Sequence, residues 1–121
     1  MASGSERFPR RARLTRASEY QRVFKGRLRS SDACMTVLAR PNGLSHPRLG
    51  LAISRKVARR AVARNRIKRI IRESLRREGD RLAGLDVVVL GRPGIDRKNN
   101  AELRRSLNMH WKRLASRCEQ S

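Results

Sequence analysis

Asn65, Lys68, Arg69, Arg72 and Arg76 are spaced so that a helix would set them in one row. At about 100° per residue they fall within an arc roughly 100° wide. An arginine guanidinium offers a planar fork of donors that suits phosphate oxygens, and a lysine ammonium a mobile point charge. Asn65 adds a neutral donor–acceptor able to reach a ribose hydroxyl or a base edge. The chemistry is recognition of a polyanion. Residues 55–77, RKVARRAVARNRIKRIIRESLRR, hold eleven Lys or Arg and one acid, Glu73. A solvated helix face mixes signs, because opposite charges at i, i+4 stabilise it and like charges weaken it by a few tenths of a kcal/mol. A row with so little internal relief calls for an external anion.

The four aromatic residues are Phe8, Tyr20, Phe24 and Trp111. Tyr20 and Phe24 are i, i+4 neighbours. They can stack on unpaired bases, at about 1–3 kcal/mol each, or pack a short helix onto a core. Trp111 reads as core. Hydrolytic machinery is hard to find: the histidines, His46 and His110, belong to no HxE or HExxH pattern, and the acids are scattered. GRPG at 91–94 lacks the spacing and the lysine of a phosphate-binding loop. Neither a catalytic residue nor a metal site is expected on the protein.

The totals agree with a nucleic-acid partner. The 121 residues carry 31 Lys and Arg against 10 Asp and Glu, a net charge of +21. Such a field repels itself unless a polyanion supplies counter-charge. The excess runs from Arg7 to Arg117, so the domain itself is cationic. Cys34 and Cys118 lie far apart with no CxxC, and read as reduced thiols. No apolar run approaches the roughly 20 residues that span a bilayer. A cytoplasmic protein is expected, with no membrane or DNA partner.

The elements that must position these residues follow from periodicity. Residues 1–7 are small and polar and read as disordered. Residues 8–116 form one domain and 117–121 a tail. Residues 15–26 suit a short helix, with Thr15 or Ser18 as cap and Gly26 as stop. Residues 33–40 read as a strand, 41–47 as a loop, and 48–54 as a strand with Leu49, Leu51 and Ile53 on one face. The basic helix should run from near Val57 to near Gly79, with Ala63, Ile67, Ile70, Ile71 and Ser74 facing inward. DVVVL at 86–90 has the pattern of a strand buried on both faces. A last helix from Asn99 or Asn100 puts Leu103, Leu107, His110, Trp111 and Leu114 on one side. Strand–helix–strand around the basic segment implies a parallel pair, and a small two-layer α/β sandwich.

RLGLAISRKVARRAVARNRIKRIIRES, residues 48–74, closely resembles the signature region of the bacterial ribonuclease P protein component. Its hallmark is the Arg64-Asn65-Arg66 centre followed by Lys68, Arg69 and Arg72. FPRRARLTRASEYQRVF resembles the family's N-terminal helix, and GLDVVVLGRPG its late strand. The resemblance implies a ribosomal-protein-like α+β sandwich with a mixed sheet and a left-handed crossover, against the usual right-handed rule. It implies a partner RNA that, with Mg²⁺ bound mainly by the RNA, cleaves the 5′ leader from precursor tRNA. On that mapping Arg64, Asn65, Arg66, Lys68, Arg69 and Arg72 bind the catalytic RNA. Tyr20 and Phe24 stack on the leader, and Met35 and Val37 lie on the cleft face of the sheet as further leader contacts.

Three other readings fit parts of the sequence. A ribosomal protein or assembly factor shares the charge but needs no leader cleft. An autonomous metal-dependent nuclease would need clustered acids. A DNA-compacting protein would prefer a duplex to a precursor tRNA. If the cationic row makes five or more phosphate contacts, RNA affinity should drop about 100-fold or more between 50 and 200 mM salt. A titration showing no such dependence would remove the row from the binding surface.

Overall fold

The computed structural model describes residues 12–26 and 28–120. The segment 1–7, expected to be disordered, and Phe8 lie outside the described residues. In chain order the elements are α1 (Ala17–Phe24), β1 (Leu28–Ser31), β2 (Met35–Pro41), β3 (Arg48–Ala52), α2 (Ala61–Glu78), β4 (Leu85–Gly91) and α3 (Asn100–Gln120). Short 3₁₀ turns occupy Gly79–Leu82 and Ile95–Arg97. The strands make one sheet in the order β1-β2-β4-β3. β2 runs antiparallel to both β1 and β4, while β3 and β4 are parallel neighbours joined through α2. The architecture is the mixed α+β one expected.

Strand alternation divides the sheet into two faces. Met35, Val37, Ala39, Leu49, Val87 and Val89 point to the side covered by α2 and α3 and form the main core with them. α2 contributes Ile67, Ile70, Ile71 and Leu75, and α3 contributes Leu103, Leu107, Trp111 and Leu114, all buried. These are the inward faces that the helical period predicts, with Leu75 added. Leu38 and Val88 point the other way, where Leu14 and Val23 cover them in a smaller apolar cluster beneath α1. β4 is thus buried on both sides, as its unbroken valine run requires.

Three local expectations are corrected. The expected element order had no strand at 28–31, because LRSS carries a single large apolar residue. β1 is specified by its partner: Leu28, Arg29, Ser30 and Ser31 pair with Ala39, Leu38, Val37 and Thr36. Neither Thr15 nor Ser18 caps α1. Arg16 holds the N-cap position and Ser18 lies inside the helix. The Glu19 carboxylate instead accepts the Thr15 and Arg16 backbone N–H groups, both at 3.0 Å. α2 also starts later than expected, after a turn at residues 55–57.

The core contains a polar pin. Asp32 Oδ1 accepts the backbone N–H groups of Cys34 (2.9 Å) and Met35 (3.0 Å), and Oδ2 accepts the Ser106 hydroxyl at 2.6 Å. His110 Nδ1 lies 2.6 Å from Ser30 Oγ, and its Nε2 sits 3.3 Å from Asp32 Oδ1 without the alignment of a hydrogen bond. The Trp111 indole N–H donates to Ser74 Oγ at 2.8 Å, which ties α3 to α2. These contacts fix α3 over the β1–β2 turn.

Burial holds the His110 pKa below its ordinary value; the Asp32 charge opposes this and Arg113 reinforces it. Burial pushes the Asp32 carboxyl up, but bonds from Ser106, Met35 and Cys34, with His110, outweigh it, and its pKa is lowered. The folded chain therefore holds fewer protons at His110 than the unfolded chain just below the unfolded histidine pKa of about 6.5. Stability from this site is complete above that pH and declines as pH falls below it. Urea midpoints should drop between pH 7.5 and 5.5, with a slope of at most about 1.4 kcal/mol per pH unit from this one proton. His110→Gln should remove that component, with His46→Gln as control; an unchanged slope in His110→Gln would contradict the assignment.

Candidate RNA interface

The outer face of α2 carries the predicted row. Asn65, Arg69 and Arg76 are exposed, and Lys68 and Arg72 are half-buried. No side-chain hydrogen bond or ion pair among the described residues involves Asn65, Lys68, Arg69 or Arg72. Glu73 likewise neutralises none of them. The charge imbalance seen in the sequence persists in the fold.

Arg64 and Arg66 behave differently. One Arg64 Nη1 donates to the Ala58 and Arg59 carbonyls, both at 2.8 Å. That closes the turn entering α2. Arg66 donates to Asn100 Oδ1 at 2.8 Å and to the Asp96 and Lys98 carbonyls at 3.2 Å. It fastens α2 to the loop before α3. Both guanidinium groups are partly exposed, but they spend donors on the fold. The sequence row does not reveal this, because the acceptors are backbone carbonyls and, for Arg66, the Asn100 side chain 34 residues away.

α1 is mounted on the sheet by a second set of charges. Arg48 on β3 makes a two-pronged contact with Asp86 on β4, Nε to Oδ1 at 2.8 Å and Nη2 to Oδ2 at 2.7 Å. Its Nη1 donates to Glu19 Oε2 on α1 at 2.8 Å. Asn42 Nδ2 adds a bond to Asp86 Oδ1 at 2.9 Å. The Asp86 bond raises the Arg48 pKa, with burial opposing it. The backbone N–H groups of Arg16 and Thr15 lower that of Glu19, against burial and with help from Arg48. Arg48, Glu19 and Asp86 were not among the predicted site residues, and no short-range spacing links them.

Tyr20 then lies over β3. An added Cβ on Gly50 would stand 2.6 Å from Tyr20 Cε1 and 2.8 Å from Cζ, so the ring fills the space a side chain would take. Phe24 is 47% exposed, with its ring centroid 6.4 Å from that of Tyr20 and tilted by 50°. A groove of about 250 Å³ runs beside them, lined by Arg13, Leu14, Thr15, Tyr20, Leu49, Leu51, Lys68 and Arg72. The aromatic ring and two cations of the row therefore share one groove. Leu14 N–H donates to the Leu49 carbonyl at 2.9 Å, so the chain before α1 forms part of the groove along the β3 edge.

Met35 and Val37, expected on the cleft face, are corrected. Both are fully buried in the main core, on the side of the sheet away from α1. The error is one of strand parity: a one-residue slip exchanges the faces. Their neighbours Thr36 and Leu38 point toward α1.

The fold also gathers Ser30, His110 and Asp32, residue types of a nucleophilic triad, from distant parts of the chain. His110 is fully buried, Ser30 is nearly so, and the Asp32 oxygens are committed to Cys34, Met35 and Ser106. A nucleophile needs access to substrate; this cluster is a structural pin. Cys34 is a buried free thiol, and the Cys118 side chain lies outside the described set. Among the described residues no group of three or more His, Cys, Asp or Glu could hold a metal ion. No described helix is long and apolar enough to cross a membrane.

Fold and groove together define a small α+β protein in which Lys68, Arg69 and Arg72, without side-chain partners among the described residues, stand on a cationic helix beside an aromatic cleft. A sequence model of the Ribonuclease P family matches residues 8–115. The ribonuclease P protein component of Methylococcus capsulatus is 52% identical over 114 residues, covering 94% of this chain and 89% of that protein. That of Thioalkalivibrio sulfidiphilus is 50% identical over 111 residues, covering 92% of each. The Staphylococcus aureus RNase P protein structure superposes with a TM-score of 0.76 at 28% identity, covering 84% of this chain and 93% of that one. For the Thermotoga maritima RNase P protein the TM-score is 0.71 at 30% identity, covering 83% and 96%. The chain belongs to the ribonuclease P protein family.

The Tyr20–Gly50 contact is testable in the free protein. Gly50→Ala should cost about 1–2 kcal/mol by overpacking. In the Tyr20→Ala background the same change should cost little. Additive effects in this double-mutant cycle by urea denaturation would show that ring and glycine are not coupled.

Proposed function

We propose that this chain acts as the protein subunit of ribonuclease P by holding two RNAs on adjacent surfaces. In that family's reaction an endoribonuclease removes the 5′ leader of precursor tRNA, and the RNA subunit carries catalysis. The outer face of α2, led by Asn65 and Arg69, docks on the catalytic RNA. The groove beside α1 takes the single-stranded leader, with Tyr20 and Phe24 as platforms for unpaired bases. Flat side chains tolerate varied base sequence because every base has a stackable face. Lys68 and Arg72 stand where the two surfaces meet, and their charge serves either strand. Arg64 and Arg66 keep that surface in shape while offering their remaining donors to RNA.

The observation that carries this reading is the shared groove: Tyr20 on one wall, Lys68 and Arg72 on the other, with no carboxylate among its lining residues. A compact cation between two polyanions lowers their mutual repulsion and so raises affinity for the leader-bearing substrate. The described carboxylates at hand are engaged, Glu19 and Asp86 by Arg48 and Asp32 within its turn. Mg²⁺ is accordingly assigned mainly to the RNA subunit. The proposed setting is the cytoplasm, where precursor tRNA is met.

Reconstitution tests the proposal. Added to the catalytic RNA at low Mg²⁺, the protein should restore 5′ processing of precursor tRNA; no gain in cleavage would reject it. Arg69→Ala should weaken RNA-subunit affinity by about 1 kcal/mol, roughly five-fold. Tyr20→Ala or Phe24→Ala should instead weaken binding of long-leader precursors by about 1–3 kcal/mol, leaving mature tRNA unaffected. If all three lowered RNA-subunit affinity equally, there would be one surface and not two.

A further inference from the structure

α3 has a second cationic face that the leader groove does not use. Its inner side is spent on the core through Leu103, Leu107, Trp111 and Leu114. Its outer side exposes Arg104, Arg105, Lys112, Arg113 and Arg117. Glu102 is engaged: it accepts the Asn99 N–H at 3.1 Å and lies 4.0 Å from Lys98 Nζ. The side chains of Arg105 and Lys112 take part in no hydrogen bond or ion pair among the described residues, and that of Arg113 reaches only Ser30 Oγ, at 3.5 Å. Arg105, Asn108, Met109, Lys112 and Arg113 line a shallow depression of about 470 Å³. α3 packs over β1 and β2, while the leader groove follows the β3 edge at the other end of the sheet.

We propose that the outer face of α3 is a second RNA-docking surface, and that it takes the phosphate backbone of double-stranded RNA. Arg104 and Asn108 border a depression shared with Glu73 and Glu78 of α2. Away from that border, at Arg105, Lys112 and Arg113, the charge is unbalanced, and it is mostly arginine, whose fork matches phosphate oxygens. Arg105 and Lys112 are two turns apart, about 10 Å along the axis. A convex helix cannot enter the deep, narrow major groove of A-form RNA, but it can lie across the wide, shallow minor groove and meet phosphates on both sides. Asn108 at the centre can reach a ribose 2′-hydroxyl. No aromatic side chain is exposed here to stack on an unpaired base, which separates this face from the leader groove. A membrane is the poorer occupant: a surface-bound helix needs bulky apolar residues facing the lipid, and those of α3 are buried.

The test uses the full chain and a blunt RNA hairpin of roughly 16 base pairs, the span that double-stranded-RNA-binding domains cover. Arg105→Gln/Lys112→Gln should weaken hairpin binding about five- to ten-fold near 100 mM salt. It should also flatten the log–log salt slope by about 1.5–2, because two phosphates would no longer be neutralised. Binding of a single-stranded leader oligonucleotide should not change. Arg105→Lys/Lys112→Arg, which keeps both charges, should retain hairpin affinity and so exclude a folding defect. Unchanged hairpin affinity and slope would overturn the proposal. So would a variant that fails to bind only phosphatidylserine vesicles. A parallel Lys68→Gln/Arg69→Gln variant separates the two readings: if it alone fails to hold the hairpin, duplex RNA docks on α2 and the assignment of α3 fails while the proposed function stands.

Discussion

The outer face of α2 carries positive charge at Lys68, Arg69 and Arg72 that no side-chain partner among the described residues relieves. α2 shows how such a helix survives. Ile67, Ile70, Ile71 and Leu75 are buried along its inner side, and full burial of each contributes about 1.5–3 kcal/mol. Like charges four residues apart cost only a few tenths of a kcal/mol per pair. Burial wins by a wide margin, so the helix forms without RNA and the repulsion is left unrelieved on its outer side. That residual repulsion favours a polyanion, and screening by salt weakens both the repulsion and the attraction to RNA.

The two walls of the groove are built by different physics. α2 is held by apolar area, which has no directional demand. α1 is short, buries mainly Val23, and relies on the Arg48 bridge from Glu19 to Asp86 for its placement. Here two carboxylates face one guanidinium, so acid outnumbers base within this three-residue bridge. Three acids serve as anchors: Glu19 and Asp86 for α1, Asp32 for the β1–β2 turn.

The sequence declared the helices more clearly than the strands. The isoleucine spacing in α2 and the leucine–tryptophan stripe in α3 are long periodic signals, and the structure follows them. β1 carries almost no such signal, since Ser30 and Ser31 acquire their positions only by pairing with Val37 and Thr36. Met35 and Val37 failed for a related reason. In an unbroken apolar strand nothing local says which parity faces the core, and the side covered by a short helix looks the same as the side covered by two long ones. The cationic row was legible from residue types and helical spacing, and the structure keeps it on the outer face of α2, whereas spacing left Tyr20 open between stacking and core packing and only the family resemblance favoured stacking. The Arg48 bridge, the seat of Tyr20 on Gly50, and the carbonyl contacts of Arg64 and Arg66 were not legible, because each joins elements brought together by the tertiary fold.

Those carbonyl contacts have a consequence for the proposed docking of Asn65 on RNA. The residue stands between two arginines, one fastened to the turn that enters the helix and the other to the loop that precedes the final one. Its backbone is therefore immobilised at both ends before any ligand arrives. Association then forfeits little conformational freedom at the point of contact. For that proposed contact the protein is a prefabricated mould, and the ordering on assembly would fall largely on the more pliant nucleic acid.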